Sequence, residues 1–130
     1  HGKKWISKKG NLFVSIFFEI IKKNSIDKLG KKNLKLIKMA LQKFCNKKIK
    51  VKLPNDLIIN KEKICGILQE TIFNKNKKFL IVGIGINIVD SPKIHYYPTS
   101  FINNYTSKKI SKYVISKYIK SIYEKNNMAK

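Results

Sequence analysis

Residues 79–89, F-L-I-V-G-I-G-I-N-I-V, form the most apolar run in the chain and leave it few options. The run falls well short of the roughly eighteen apolar residues that a membrane helix needs, and its β-branched side chains favour extended backbone. A buried strand is expected. Gly83 and Gly85 fall at alternate positions, so they share one face of that strand and leave room for something close to the backbone.

The flanking segments can build the rest of a sheet. Residues 11–21, N-L-F-V-S-I-F-F-E-I-I, are rich in β-branched and aromatic side chains and read as a central strand. Residues 22–31 are polar, contain Gly30 and read as a connection. Between 32 and 45 the apolar positions Leu34, Ile37, Leu41, Phe44 and Cys45, with Ala40 beside them, have the spacing of a helix with one buried face. Ile49, Val51 and Leu53 alternate with lysines as in a half-buried strand, and Pro54 stops it. Residues 57–59 and 64–73 should pair as a hairpin across Asn60, Lys61 and Glu62, and 74–78 is a second turn. Residues 90–98 read as a loop in which Tyr96 and Tyr97 pack as a cover. Ser107 is the expected N-cap of a last helix within about 105–130, with Ile110, Val114, Tyr118 or Ile119, and Ile122 on its apolar face. The order implies an α+β fold, a mixed β-sheet with helices packed on one face, in a single domain over 1–130.

Within that sheet, Lys52–Glu70 is where chemistry would be built. Its polar groups, Lys52, Asn55, Asp56 and Lys63, gather at two turns, and its apolar segments are strands that hold those turns still.

The formal charge of +22 raises a nucleic-acid role. All of it comes from lysine, scattered over every segment, and the chain has no arginine fork for phosphates or base edges. A solvated lysine-rich surface is the better reading, with weak attraction to polyanions and no specific nucleic acid. Cys45 and Cys65 have no paired spacing and read as buried small hydrophobes in a reducing cytoplasm. No membrane-span signal or signal peptide is recognisable. His1 and His95 have no metal-site spacing. Gly83-Ile84-Gly85 is not a dinucleotide fingerprint, because a third glycine is missing and the segment continues as strand.

Four blocks in series are more specific. They are W-I-S-x-x-G-N-L-F-V-S-I from Trp5, K-L-P-N-D-L from Lys52, K-I-C-G-I-L-Q-E from Lys63 and G-I-G-I-N-I from Gly83, followed by P-T-S-F from Pro98. The series resembles the catalytic domain of biotin protein ligases, the enzymes that biotinylate acetyl-CoA carboxylase, over about residues 1–101. The resemblance implies that biotin and ATP form biotinyl-5′-AMP and pyrophosphate, and that biotin then passes to a lysine of a biotin carboxyl carrier protein. It makes Lys63 the catalytic residue, in contact with the biotin carboxyl and the adenylate phosphate. Gly66, Lys3 and Trp5 join Lys63 around biotin and the adenylate. Trp5, as a stacking face for adenine, also belongs to the ATP side, with Lys52, Asn55, Asp56 and Asn87. ATP and Mg²⁺ are the implied cofactors, with Asp56 either contacting Mg²⁺ or orienting a lysine.

The chain departs from that pattern in several places. Leu53 stands where the family has tryptophan. Only His1-Gly2-Lys3-Lys4 matches the end of the family's glycine- and arginine-rich closing loop, and no counterpart of its small β-barrel or DNA-binding domain is recognisable. An amino-terminally truncated catalytic domain is the expectation, poorly active by itself. A lipoate-type ligase on the same fold, or a basic nucleic-acid-binding domain, is the alternative.

Overall fold

The computed structural model describes residues 8–20, 26–94 and 96–126; of Ile26 only the backbone is described. Its elements are β1 (Leu12–Glu19), α1 (Ile26–Gln42), β2 (Lys50–Lys52), β3 (Asp56–Ile59), β4 (Glu62–Asn74), β5 (Lys77–Ile86), a 3₁₀ turn (Ile102–Tyr105) and α2 (Lys112–Lys125). The five strands form one sheet in the order β1-β5-β4-β3-β2, with every named pair antiparallel. The α+β class and the helices packed on one face are as expected, although the strand ladder is antiparallel throughout.

Both long hairpins close through two-residue turns. Asn60 and Lys61 have φ of 51° and 65°, and Lys75 and Asn76 have 49° and 68°. Positive φ at both central positions gives the turn whose twist matches paired strands, and asparagine tolerates it best among residues with a side chain.

The faces of the sheet differ. Leu80, Val82, Ile84 and Ile86 of β5 are fully buried and point towards α1 and α2, which contribute Ile37, Leu41, Ile115 and Ile119 to the same core. Side chains of this size each contribute about 1.5–3 kcal/mol when withdrawn from water. On the opposite face Phe13 and Phe17 remain 55% exposed, Phe17 stacking on Phe79 with ring centroids 5.0 Å apart.

Three expectations are corrected. The segment over 11–21 is a strand, but β1 ends the strand order instead of lying centrally; its burial alternates because only one of its faces meets the helices. The expected connection at 22–31 is helical from Ile26 onward. Gly30 there lets α1 approach β4: a Cβ on it would stand 3.0 Å from Gln69 Nε2. Beside it runs a partly buried chain of hydrogen bonds in which Tyr123 Oη donates to Asn33 Oδ1 at 2.8 Å and Asn33 Nδ2 donates to Gln69 Oε1 at 2.7 Å. The last helix is capped by Ser111, not Ser107, and buries Ile115, Ile119 and Tyr123. Asn103 sets the delay: its Oδ1 accepts from Ile110 N–H at 2.9 Å while its Nδ2 donates to Ile110 C=O at 3.1 Å, pinning the chain before the helix.

Candidate functional site

The site is assembled on the face away from the helices. One lateral row crosses every strand, in which Lys52 pairs with Asp56, Asp56 with Gly66, Gly66 with Gly85 and Gly85 with Phe13. Charged groups occupy one end of the row, an aromatic ring the other, and two residues without side chains lie between. Next to it Leu68 pairs with Gly83, and a Cβ on Gly83 would stand 3.5 Å from the tip of Phe13. The Phe13 ring thus lies over Gly83, and Gly66 and Gly85 carry no side chain on the stretch of the row between Phe13 and Asp56. The alternate glycines share a face, as their spacing requires.

Lys63 reaches the charged end through a β-bulge. The register shifts between Leu57, which faces Cys65, and Ile58, which faces Lys63, leaving Ile64 as the extra residue. Strict alternation from Gly66 would send Lys63 to the core face. The extra residue instead buries both Ile64 and Cys65 and returns Lys63 to the face that carries Asp56. Its Nζ lies 3.1 Å from Asp56 Oδ1, with the two side chains 17% and 30% exposed. The Tyr97 ring stands over the same ammonium, 4.9 Å from centroid to Nζ.

The loop that brings Tyr97 is tied to Lys63 by backbone bonds. Lys63 N–H donates to Pro98 C=O at 3.0 Å, Ser100 N–H donates to Lys63 C=O at 2.9 Å, and Lys63 bridges to Thr99. Thr99 Oγ1 donates to Pro92 C=O at 2.6 Å and closes the loop on itself. Tyr96 is 93% exposed and covers nothing, so the paired cover expected from the sequence reduces to Tyr97.

Asn87 lies beneath the site. It is 1% exposed; its Nδ2 donates to Ser100 C=O at 3.1 Å and its Oδ1 accepts from Asn11 Nδ2 at 3.4 Å. Its backbone N–H donates to the C=O of Ile64, the extra residue of the bulge, at 2.9 Å. Asn11, which the sequence reading did not single out, accepts through Oδ1 from the N–H groups of Ile88 and Val89 at 2.8 and 2.9 Å. Its Nδ2 donates to Asp90 C=O at 2.9 Å. The available signal was its position in the G-N-L-F block at the mouth of β1. Asn55 contributes its C=O to Ile67 N–H at 2.8 Å and stands at the turn before Asp56. Lys3 and Trp5 lie outside the described residues.

The structure thus gathers Lys52, Asp56, Lys63 and Gly66 on one face, with Asn55 at its edge and Asn87 below. Cys65 does not serve as a nucleophile there, since burial pushes its thiol well above the usual range. Among the described residues no group of three or more metal-ligating side chains occurs, and Asp56 is engaged by Lys63. What the arrangement can do is meet an anionic group at Lys63, with apolar and side-chain-free positions beside it in the row.

Comparison with known proteins gives a consistent outcome. The model of the biotin/lipoate A/B protein ligase family matches residues 1–87. Biotin–protein ligase 2 of Arabidopsis thaliana is 31% identical over 90 residues, which is 65% of this chain and 27% of that protein. The biotin protein ligase from Aquifex aeolicus in complex with biotin and ATP superposes with a TM-score of 0.79 at 25% identity, covering 96% of this chain and 53% of that one. The enzyme from Leishmania major in complex with biotinyl-5-AMP gives 0.79 at 23% identity, over 94% and 56%, a likeness of fold. The chain therefore spans about half the length of these solved relatives and 27% of the plant protein.

Proposed function

The chain belongs to the biotin/lipoate A/B protein ligase family, and we propose that it is part of the catalytic domain of an enzyme that activates biotin with ATP and transfers it to a carrier-protein lysine. The observation that carries this reading is the row across the sheet, which runs from Phe13 over Gly85 and Gly66 to Asp56, with the Lys63 ammonium at that end. A fused ring system with a carboxylate on a flexible tail would match that order of groups, apolar at one end and cationic at the other.

The chemistry follows from Lys63. In the first step a carboxylate oxygen attacks the α-phosphorus of ATP, forming the acyl–phosphate bond and expelling pyrophosphate. Two anions must approach, and charge builds on the phosphoryl oxygens between them. A fixed ammonium at that point stabilises the transition state more than the separated reactants. In the second step a neutral lysine amine attacks the acyl carbonyl; the amide bond forms, AMP leaves with the bonding pair, and the amine loses a proton.

Asp56 holds Lys63 in place, and Lys52 and Asn55 lie on the nucleotide side. Gly66 leaves space for the ring system. Asn87 supports the nucleotide side from below by tying the bulge to the Ser100 segment. Lys3 and Trp5 complete the biotin and adenine contacts. Magnesium would arrive with the phosphates of ATP. The acceptor is a biotin carboxyl carrier protein, and the location is the cytoplasm, where the free thiols of Cys45 and Cys65 would stay reduced.

Biotin-dependent ATP–pyrophosphate exchange by the full-length protein tests the reading. Exchange with biotin, and its persistence against excess lipoate, is the expected result. Exchange with lipoate alone would move the assignment to lipoate, and exchange with neither would overturn it.

A further inference from the structure

We propose that Tyr97 is a positioning residue for Lys63, holding the ammonium by its ring face so that an incoming anion meets a cation already in place. The proposal rests on the anion-binding role given above to Lys63. Tyr97 is not in the row of glycines and charges, and its contact comes from a loop instead of a strand.

Asp56 and Tyr97 are both partners of the Lys63 ammonium, and they act differently. Asp56 approaches to 3.1 Å and neutralises it. A carboxylate is also a competitor: any ligand anion that reaches Lys63 must share the ammonium with it. The Tyr97 ring, 4.9 Å away, attracts the cation through its quadrupole and carries no net charge. It fixes the position without using up the charge that the ligand needs. The hydroxyl is not required for this, which separates a ring-face role from hydrogen bonding.

The backbone gives the ring its precision. Pro98 and Ser100, on either side of Thr99, both bond to the main chain of Lys63 itself, at 3.0 and 2.9 Å. The residue that carries the ammonium and the loop that carries the ring therefore move as one unit. The adjacent Tyr96 is 93% exposed, so the inward position of Tyr97 is not a general property of the loop.

The test reads Lys63 directly and does not need turnover. Lysine is labelled at Cε, and the Lys63 resonance is identified by its loss in Lys63→Arg. A ring above the ammonium displaces this signal upfield. The displacement should persist in Tyr97→Phe and vanish in Tyr97→Leu, with Tyr97→Met as the second ring-free variant if leucine disturbs the loop. Inorganic pyrophosphate is then titrated and followed at the same resonance. Removing the ring should weaken pyrophosphate binding by about 2- to 30-fold, and Tyr97→Phe should leave it within about twofold. Equal binding in Tyr97→Leu and the wild type would overturn the proposal, as would an equal loss in Tyr97→Phe or a wild-type Lys63 signal that pyrophosphate does not move. The expected pyrophosphate results combined with no biotin-dependent exchange would remove the proposed reaction and leave the role of Tyr97 standing.

Discussion

Asp56 Oδ1 and Lys63 Nζ meet at 3.1 Å because β4 carries one residue more than β3 between their paired positions. Were β4 regular there, with Ile64 taking its turn in the alternation, the lysine would face the core, where an ammonium is costly, and the carboxylate would stand alone. The bulge therefore makes the pair, and the pair marks the charged end of the row that crosses the sheet. Both side chains keep some contact with water, so the pair contributes at most about 1 kcal/mol to stability. Its importance lies in orientation.

Lys63→Ala is expected to lower biotin-dependent pyrophosphate exchange by about a hundredfold or more, since it removes a preorganised cation from the point of charge development. The thermal midpoint should shift little, because the side chain begins next to a turn. Retained exchange would remove Lys63 from the mechanism.

Asp56→Asn keeps the shape and deletes the charge. If Asp56 orients Lys63, exchange should fall by about 3- to 10-fold with an unchanged dependence on Mg²⁺ concentration, equivalent to roughly 1 kcal/mol of lost positioning. A shift of the Mg²⁺ midpoint by tenfold or more would assign Asp56 to metal binding instead.

Asn11→Leu should destabilise the fold by about 2–4 kcal/mol. It leaves the N–H groups of Ile88 and Val89 without their acceptor in a buried corner. Urea unfolding measures the loss. A change below about 0.5 kcal/mol would show that the corner finds other partners.

The two thiols should differ in reactivity. Burial pushes Cys45 up to about 11 and Cys65 higher still. An acid whose folded value is raised stabilises the fold fully below its unfolded value and loses that contribution as pH climbs to the folded one. The urea midpoint should therefore decline above about pH 9, with the Cys45 part spent near pH 11. At pH 8 iodoacetamide should modify native Cys45 roughly a hundredfold more slowly than the unfolded chain, with Cys65 protected until unfolding. Rapid native labelling of Cys65 would contradict its burial.

Much of the architecture was legible because it depends on local pattern. The apolar run at 79–89 is buried over most of its length, with Val89 left exposed; Leu34, Ile37 and Leu41 share a buried helix face; and the turn expected over Asn60-Lys61-Glu62 is found at Asn60 and Lys61, with Glu62 already in β4. What was misread depended on partners. Nothing in residues 22–31 announces that Gly30 lies against Gln69, and a glycine in a polar stretch normally signals a connection. The start of α2 was placed too early because Asn103, which pins Ile110, acts through two side-chain bonds that leave no trace in periodicity.

The site divides in the same way. By themselves the residues determined which groups stand at strand ends and that Gly83 and Gly85 share a face, because strand alternation and turn chemistry are short-range. Only the tertiary structure decided that Gly66, Gly85 and Phe13 fall in one row with Asp56, that Lys63 turns to that face, and that Tyr97 stands over it. Each of these depends on register between distant strands or on a loop returning to a bulge. Register is set by which pairing buries the most side chains at once, a property of the whole core and not of any stretch within it.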